Sequence, residues 1–495
     1  MNASIVAPAR DTAGTDNKRW WALAVLVATQ FMVVLDVAIV NVALPTIKTD
    51  LHFSQESLQW VITAYAILFG GVLLLGGRAA DLLGRRRVFL AGLVLFSVSS
   101  FLDGVAWSSA SLITFRALQG LGAALLAPAA LSILMTTFRE GRERNLALGV
   151  WGAVSGSGAA AGVLLGGVLV GSLGWSWIFF INVPVGALVL VATPWLLRES
   201  RGGLAHRHFD AAGAFSITSG LMLLVYALTY ASQHGWGETR TIVALAASGV
   251  LLAGFIGIEL RSPAPLLPLR IFRLRTLAGS NLASLLTSAS LFSQFFLLTL
   301  YMQQVLHYSA MQTGVAYLAF ALSVVVFSGF AQAIVTRVGL RAVMPVGLAV
   351  AALSLVAYTR LPVRGHYFWD LFPALLVGGI ALAFAFVPMS IGALEGVGES
   401  DAGVASGLFN TGQQIGGAIG VAVATTVATT ATSHYVSSHA GSTSFAPAAL
   451  THGFQVAFYV LAAIALASAV GAYLLLEPRR REPREQLTVS LEEAA

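Results

Sequence analysis

The chain has 495 residues, 57% of them hydrophobic and only 10% charged, with a mean hydropathy of +0.81. A soluble domain carries about 25% charged residues, and a core this apolar cannot be covered by so few, so the chain reads as an integral membrane protein. Disorder and coiled coil are excluded, and with no cysteine in the chain so are disulfide scaffolds, zinc–thiolate sites and thiol nucleophiles.

A bilayer core of about 30 Å needs about 20 apolar residues in a helix. Fourteen stretches qualify, near 20–44, 57–77, 88–107, 110–138, 146–170, 175–197, 211–231, 241–258, 277–302, 312–335, 342–359, 368–392, 402–430 and 454–476. Many of the 50 glycines fall inside them, where they permit close backbone approach between helices. The short alternating segments of a β-barrel do not occur. With the N-terminus placed in the cytoplasm, 23 of the 28 lysines and arginines fall in cytoplasmic segments and four outside, while Arg116 lies within a span. That bias follows the positive-inside rule, so it supports the span count and both termini being cytoplasmic. It also accounts for the net charge of +6 and the pI of about 9.8, leaving no ground for a nucleic-acid partner. The first span carries Asp36 and Asn41 and is too long for a cleaved signal peptide.

The connection between spans two and three, Gly77-Arg78-Ala79-Ala80-Asp81-Leu82-Leu83-Gly84-Arg85-Arg86-Arg87, is echoed between spans ten and eleven by Thr336-Arg337-Val338-Gly339-Leu340-Arg341, without the acid. Two related halves point to a transporter built from repeats. The expected organisation is a cytoplasmic tail (1–19), a six-helix bundle (20–197), a linker with two extra spans (198–276), a second six-helix bundle (277–476) and a cytoplasmic tail (477–495).

Asp36 and Arg116 are ionisable groups inside apolar spans, which makes them functional candidates. Counting about 1.5 Å per residue from the span ends puts them at similar depth. A movable arginine beside a carboxylate is the core of a proton switch; the plainer reading is a fixed ion pair tying spans one and four together. Asp81, among arginines at helix ends, can cap or pair in one conformation and be released in another. Gly158, Gly162, Gly166 and Gly167 crowd span five for tight packing or gating. Gln30, Asn41, Tyr65, Gln294, Tyr301, Asn410, Gln413 and Gln414 are the polar candidates for lining a substrate cavity, while Asp103 and Glu395, near span ends, are expected to snorkel to water. No G-K-[ST] or H-E-x-x-H motif occurs, and the nine histidines lack metal-ligand spacing.

The Gly77–Arg87 pattern resembles the loop signature of the major facilitator superfamily, with Ala79 in place of the usual Leu. Leu35-Asp36-Val37-Ala38-Ile39-Val40-Asn41-Val42-Ala43-Leu44-Pro45 resembles the first-span signature of its fourteen-span drug:proton antiporter branch, with Ala38 for Thr. Phe115-Arg116-Ala117-Leu118-Gln119-Gly120-Leu121-Gly122 resembles the R-x-x-Q-G motif of span four. The runs from Trp175 to Gly186, from Pro265 to Phe272, and from Asn410 to Gly417 are similar to further signatures of that branch. In span five, Gly162-Val163-Leu164-Leu165-Gly166-Gly167 lacks the proline of the usual G-P-x-x-G-G, so no proline kink is expected there. Where the family often has an arginine stands Gln413.

The resemblance implies an all-α membrane fold of two six-helix bundles with two spans between them. It implies a proton-coupled antiporter exporting amphipathic small molecules such as drugs or antibiotics, with Asp36 and Arg116 coupling the proton. Gly77, Asp81, Gly84, Arg85, Arg86 and Arg87 would form a conformational latch. The expected partners are substrate, protons and lipid; the expected setting is a bacterial cell membrane, with the chain acting as a monomer, without cofactor or metal and not as an enzyme. Alternatives are a same-fold metabolite transporter, a facilitator without proton coupling, and a membrane sensor or receptor.

Overall fold

Backbone N–H and C=O groups have no water to bond in a bilayer, so apolar stretches of this length satisfy them within helices. A computed structural model describes residues 14–53, 55–58, 60–201, 210–262, 265–398, 401–439, 443–444 and 446–477. Of the two tails expected from the sequence, most lies outside the described residues. The part from Gly14 to Arg19 belongs to the first helix, which the uninterrupted helical sequence carries beyond its apolar segment at both ends.

The long helices are α1 (Gly14–Asp50), α2 (Trp60–Leu83), α3 (Arg85–Gly104), α4 (Ser109–Thr137), α5 (Arg142–Ser172), α6 (Asn182–Leu196), α7 (Ala211–His234), α8 (Thr239–Glu259), α9 (Arg275–Leu300), α10 (Leu318–Val338), α11 (Leu340–Tyr358), α12 (Phe372–Gly392), α13 (Ala402–Ser438) and α14 (Pro447–Leu475). Short turns precede α6 (Trp177–Phe180) and α10 (Ala310–Ala316), and π-helical turns lie at Tyr301–Val305 and Tyr367–Leu371. Thirteen spans are long and apolar enough to cross a membrane, and α5, bent by 47° between Arg142–Gly158 and Ala161–Ser172, makes the fourteenth.

The bend lies in a stretch that has no proline and is rich in glycine. A Cβ on Gly158 would lie 2.6 Å from Val34 Cγ1, and one on Gly162 would lie 2.7 Å from Ala38 Cβ and 3.0 Å from the Leu35 carbonyl oxygen. A Cβ on Gly166 would meet Ile39 Cγ1 at 3.0 Å, while Gly167 is half-buried. Without side chains on this face, α5 lies directly on α1.

Helices α1 to α6 pack among themselves, and α9 to α14 do the same. The two groups meet along two seams, α2 against α13 and α5 against α10 and α12. Helices α7 and α8 pair with each other, and α7 lies along α2 and touches α13. The sequence echo is also a structural one: Gly84 (φ 110°) and Gly339 (φ 92°) are each the single residue between two helices, in a backbone region that other residues rarely adopt.

Candidate functional site

Asp36 lies in the second half of α1 and Arg116 two turns into α4. Both are fully buried, and Arg116 Nη1 donates to Asp36 Oδ2 at 2.7 Å. The guanidinium is fixed from its other side by Nε donating to the Val61 carbonyl (3.1 Å), by contact of Nη1 with Gln119 Oε1, and by the Tyr65 ring, whose centroid lies 4.3 Å from Cζ. Asp36 Oδ1 accepts two more bonds, from Gln119 Nε2 (2.9 Å) and Asn182 Nδ2 (3.1 Å). Asn182 also donates to Ser100 Oγ (3.0 Å), which donates to the Phe179 carbonyl (2.9 Å).

Five helices therefore converge on one carboxylate. A carboxylate can take up a proton and a guanidinium cannot lose one, so proton chemistry here falls to the acid. Removing one partner from a buried pair leaves an uncompensated charge, at a typical cost of about 3–5 kcal/mol.

The arginine-rich end of the molecule holds a second cluster. The sequence places Asp81 in a loop; the structure places it in the last turn of α2, because Gly84 alone makes the turn and the helix runs on to Leu83. Asp81 Oδ1 accepts from Arg85 Nη2 (2.9 Å) and from the Gly403 amide (3.1 Å), and Oδ2 accepts from the Val404 amide (3.2 Å). The carboxylate thus caps the N-terminus of α13, in the other group of helices, where the helix dipole favours negative charge. The backbones touch there as well: a Cβ on Gly77 would fall 2.2 Å from the Gly403 carbonyl oxygen.

Arg85 also contacts Ser200 Oγ, and the Arg86 amide donates to Glu199 Oε1 at 3.2 Å, with Arg87 Nε 3.7 Å from Glu199 Oε2. These three arginines hold the chain after α6, while the Asp81 carboxylate reaches α13.

The eight cavity candidates are spread over α1, α2, α9, the π-helical turn at Tyr301–Val305, and α13. Tyr65 belongs to the buried charge site. Gln30 Nε2 donates to Ser155 Oγ (3.1 Å), joining α1 to α5. Tyr301 is buried and donates to the Pro362 carbonyl (2.6 Å), and Asn410 donates to the Ser406 carbonyl of its own helix. Gln294 is buried in α9, and Gln413 and Gln414 are half-buried on α13. Asn41 is exposed and bonds the Val37 carbonyl one turn back, so it is satisfied within its own helix.

Two acids near span ends part ways. Glu395 is exposed as expected. Asp103 is not: it is 0% exposed, since α3 turns the face that carries Ser99, Ser100 and Asp103 into the bundle. Gln119, Asn182 and Ser100 were not singled out from sequence. The first two stand inside quoted motifs, so the signal was present, but as uncharged amides they gave no reason for notice; Glu199 passed unnoticed among the basic residues around it.

A profile of the Major Facilitator Superfamily matches residues 26–421. The chain is 40% identical to the puromycin resistance protein pur8 of Streptomyces alboniger, over 97% of this chain and 95% of that one. It is also 40% identical to the cephamycin export protein CmcT of Amycolatopsis lactamdurans, over 95% of each chain. It is 35% identical to the tetracenomycin C resistance and export protein of Streptomyces glaucescens, over 82% of this chain and 75% of that one. In fold it is similar to the human organic anion transporter MFSD10 (TETRAN), with a TM-score of 0.62 at 17% identity, covering 92% of this chain and 99% of that one.

Proposed function

This chain belongs to the major facilitator superfamily and is a multi-pass membrane transporter, not an enzyme; on that premise we propose that it exports amphipathic small molecules, antibiotics among them, in exchange for protons across the plasma membrane of a bacterial cell. The names of its relatives support the cargo class. The arginine bias supports placing the Gly84 end in the cytoplasm.

The observation that carries the proton coupling is the fully buried Asp36–Arg116 pair. While the guanidinium is in place, the ionised acid is neutralised by it and held by two amide donors, Gln119 and Asn182. When substrate entry or helix movement draws Arg116 away, the carboxylate is left charged in a dry site, and taking a proton restores neutrality. The proton leaves when the arginine returns. Asp81, capping α13 across the seam, holds the cytoplasmic end shut in one conformation, so that the site opens to one side at a time.

The test is uptake of ethidium into inverted membrane vesicles under an imposed proton gradient. Asp36→Asn, which mimics the protonated acid and cannot release a proton, should abolish gradient-driven uptake while leaving the protein inserted and folded. Gradient-driven uptake that survives the substitution would remove Asp36 from the coupling step. Uptake that never required a gradient would point to a facilitator.

A further inference from the structure

Asp103 is a buried acid that the coupling pair does not use. Its side chain is 0% exposed, and neither carboxyl oxygen has a hydrogen-bond partner among the described residues. It lies one turn beyond Ser100 on the same face of α3. Ser100 accepts from the Asn182 amide that also holds Asp36, so the hydrogen-bonded chain around Asp36 ends one helical turn from Asp103. Arg116 and Asp36 are the charged groups whose fields act on Asp103, and Tyr65 acts likewise on the guanidinium.

The interior of this helix group therefore holds two carboxyl groups and one guanidinium. With both acids ionised the set would carry one uncompensated negative charge, on the acid without a donor, in a site closed to water; burying an unpaired carboxylate costs several kcal/mol or more. One proton shared between the two acids makes the set neutral.

We propose that Asp103 is the second proton-carrying carboxylate of this site, so that Arg116 pairs with one acid while the other holds the proton. The inference rests on the coupling role given to Asp36 above and deepens it. In the arrangement seen here Arg116 is on Asp36, and Asp103 carries the proton. When the guanidinium moves to Asp103, the O–H bond of Asp103 breaks and its carboxylate becomes the ionic partner, while an O–H bond forms on Asp36. One proton and zero net charge are kept in both arrangements. Asp103 lies near the end of α3 remote from Arg85, which places this second acid toward the face opposite the latch.

The experiment uses the full-length protein, purified and reconstituted in lipid, and reads the infrared C=O stretch of protonated carboxylic acid at neutral pH together with gradient-driven ethidium transport. The wild-type spectrum should contain a band of a carboxylic acid without hydrogen bonds that is lost in Asp103→Asn, and lost also in Asp36→Asn, where Asp103 is left as the partner of Arg116 and ionises. Asp103→Asn fixes the neutral form and should slow gradient-driven transport by about 10²-fold, the low end for losing a positioned proton-transfer group. Asp103→Glu keeps the acid and should move the band rather than delete it, which tests the assignment if the amide variant does not fold. A band that persists unshifted in these variants, or an unchanged transport rate in Asp103→Asn, overturns the proposal even where Asp36→Asn is inactive. Normal gradient-driven transport in Asp36→Asn overturns the coupling reading instead, and with it the alternation between the two acids.

Discussion

Replacing Asp81 by alanine should open the α2–α13 seam at the arginine-rich end. Two of the bonds that this carboxylate accepts come from the Gly403 and Val404 amides, and these cross between the two groups of helices. A hydrogen bond to a charged acceptor is worth about 1.5–3 kcal/mol net, so the lower figure for each bond gives about 3 kcal/mol in favour of the closed seam. That corresponds to a shift of about 150-fold in the equilibrium between closed and open forms. In the closed form the variant also leaves both amides without an acceptor, whereas opening gives them water, so the bias has the same sign on both counts. Asp81→Asn keeps one neutral acceptor and should give about two-thirds of the effect, roughly 2 kcal/mol, since neutral bonds are worth about 1 kcal/mol. The chain has no native cysteine, so spin labels can be placed directly on cysteines introduced at the exposed positions Leu83 and Glu395. Pulsed electron resonance should show the longer-distance population dominating in Asp81→Ala and a mixture in Asp81→Asn. Substrate affinity should change by less than about tenfold, or 1.4 kcal/mol. A distance distribution identical to that of the parent protein, or an affinity loss equal to the loss of transport rate, would refute the latch.

A double-mutant cycle on stability in detergent, with Asp36→Asn and Arg116→Gln, should show coupling well above the ~0.5 kcal/mol scatter of independent sites; simple additivity would mean that the 2.7 Å contact does not bind the two residues energetically. Arg116→Lys should not restore transport, because an ammonium cannot reach Asp36, Gln119 and the Val61 carbonyl together. Gly162→Val places carbon against the Leu35 carbonyl and Ala38, so it should lower thermal stability by the ~1–3 kcal/mol typical of overpacking; an unchanged melting temperature would contradict the α1–α5 contact. Glu395, outside the spans, has its carboxyl pushed above the usual range by partial burial and by neighbouring Glu477 and Glu140. An acid with a raised folded-state value is destabilising once ionised, and that cost disappears as the pH falls through the raised value. Glu395→Gln should therefore raise the melting temperature at neutral pH, with the difference closing on acidification; a difference that widens in acid would reverse the sign argued here.

Composition and the spacing of apolar runs were enough to read the helices, since a bilayer leaves the backbone little alternative. The Gly84–Gly339 echo was legible for the same reason: a one-residue turn between helices needs a positive φ. The pairing of Asp36 with Arg116 followed from depth along two spans. Depth says nothing about which face of a helix is covered, and that is why Asp103, one turn from the end of α3, was assigned to water. The close approach of α5 to α1 was hidden for a related reason: Gly158 and Gly162 permit it, but only the fold sets them against Val34, Leu35 and Ala38 of another helix. Asn182 could not be placed beside Asp36 because 146 residues separate them and an amide inside an apolar span fits helix packing equally well.

The position of α7 makes the two seams of this transporter unequal toward lipid. It runs beside α2, where Val225 approaches Gly70 and Met222 fills the space beside Gly71, and the segment after it reaches α13 through Trp236 Nε1 donating to Thr426 Oγ1 at 2.7 Å. On the other side, among the described residues, α5 meets α10 and α12 without a helix of the inserted pair against it. An amphipathic molecule dissolved in the bilayer thus meets one seam roofed by α7 and another that is bare. Should cargo enter sideways from a leaflet when the helices part, the seam without α7 is the less covered route, and bulky substitutions along it should hinder lipid-borne cargo more than cargo arriving from water.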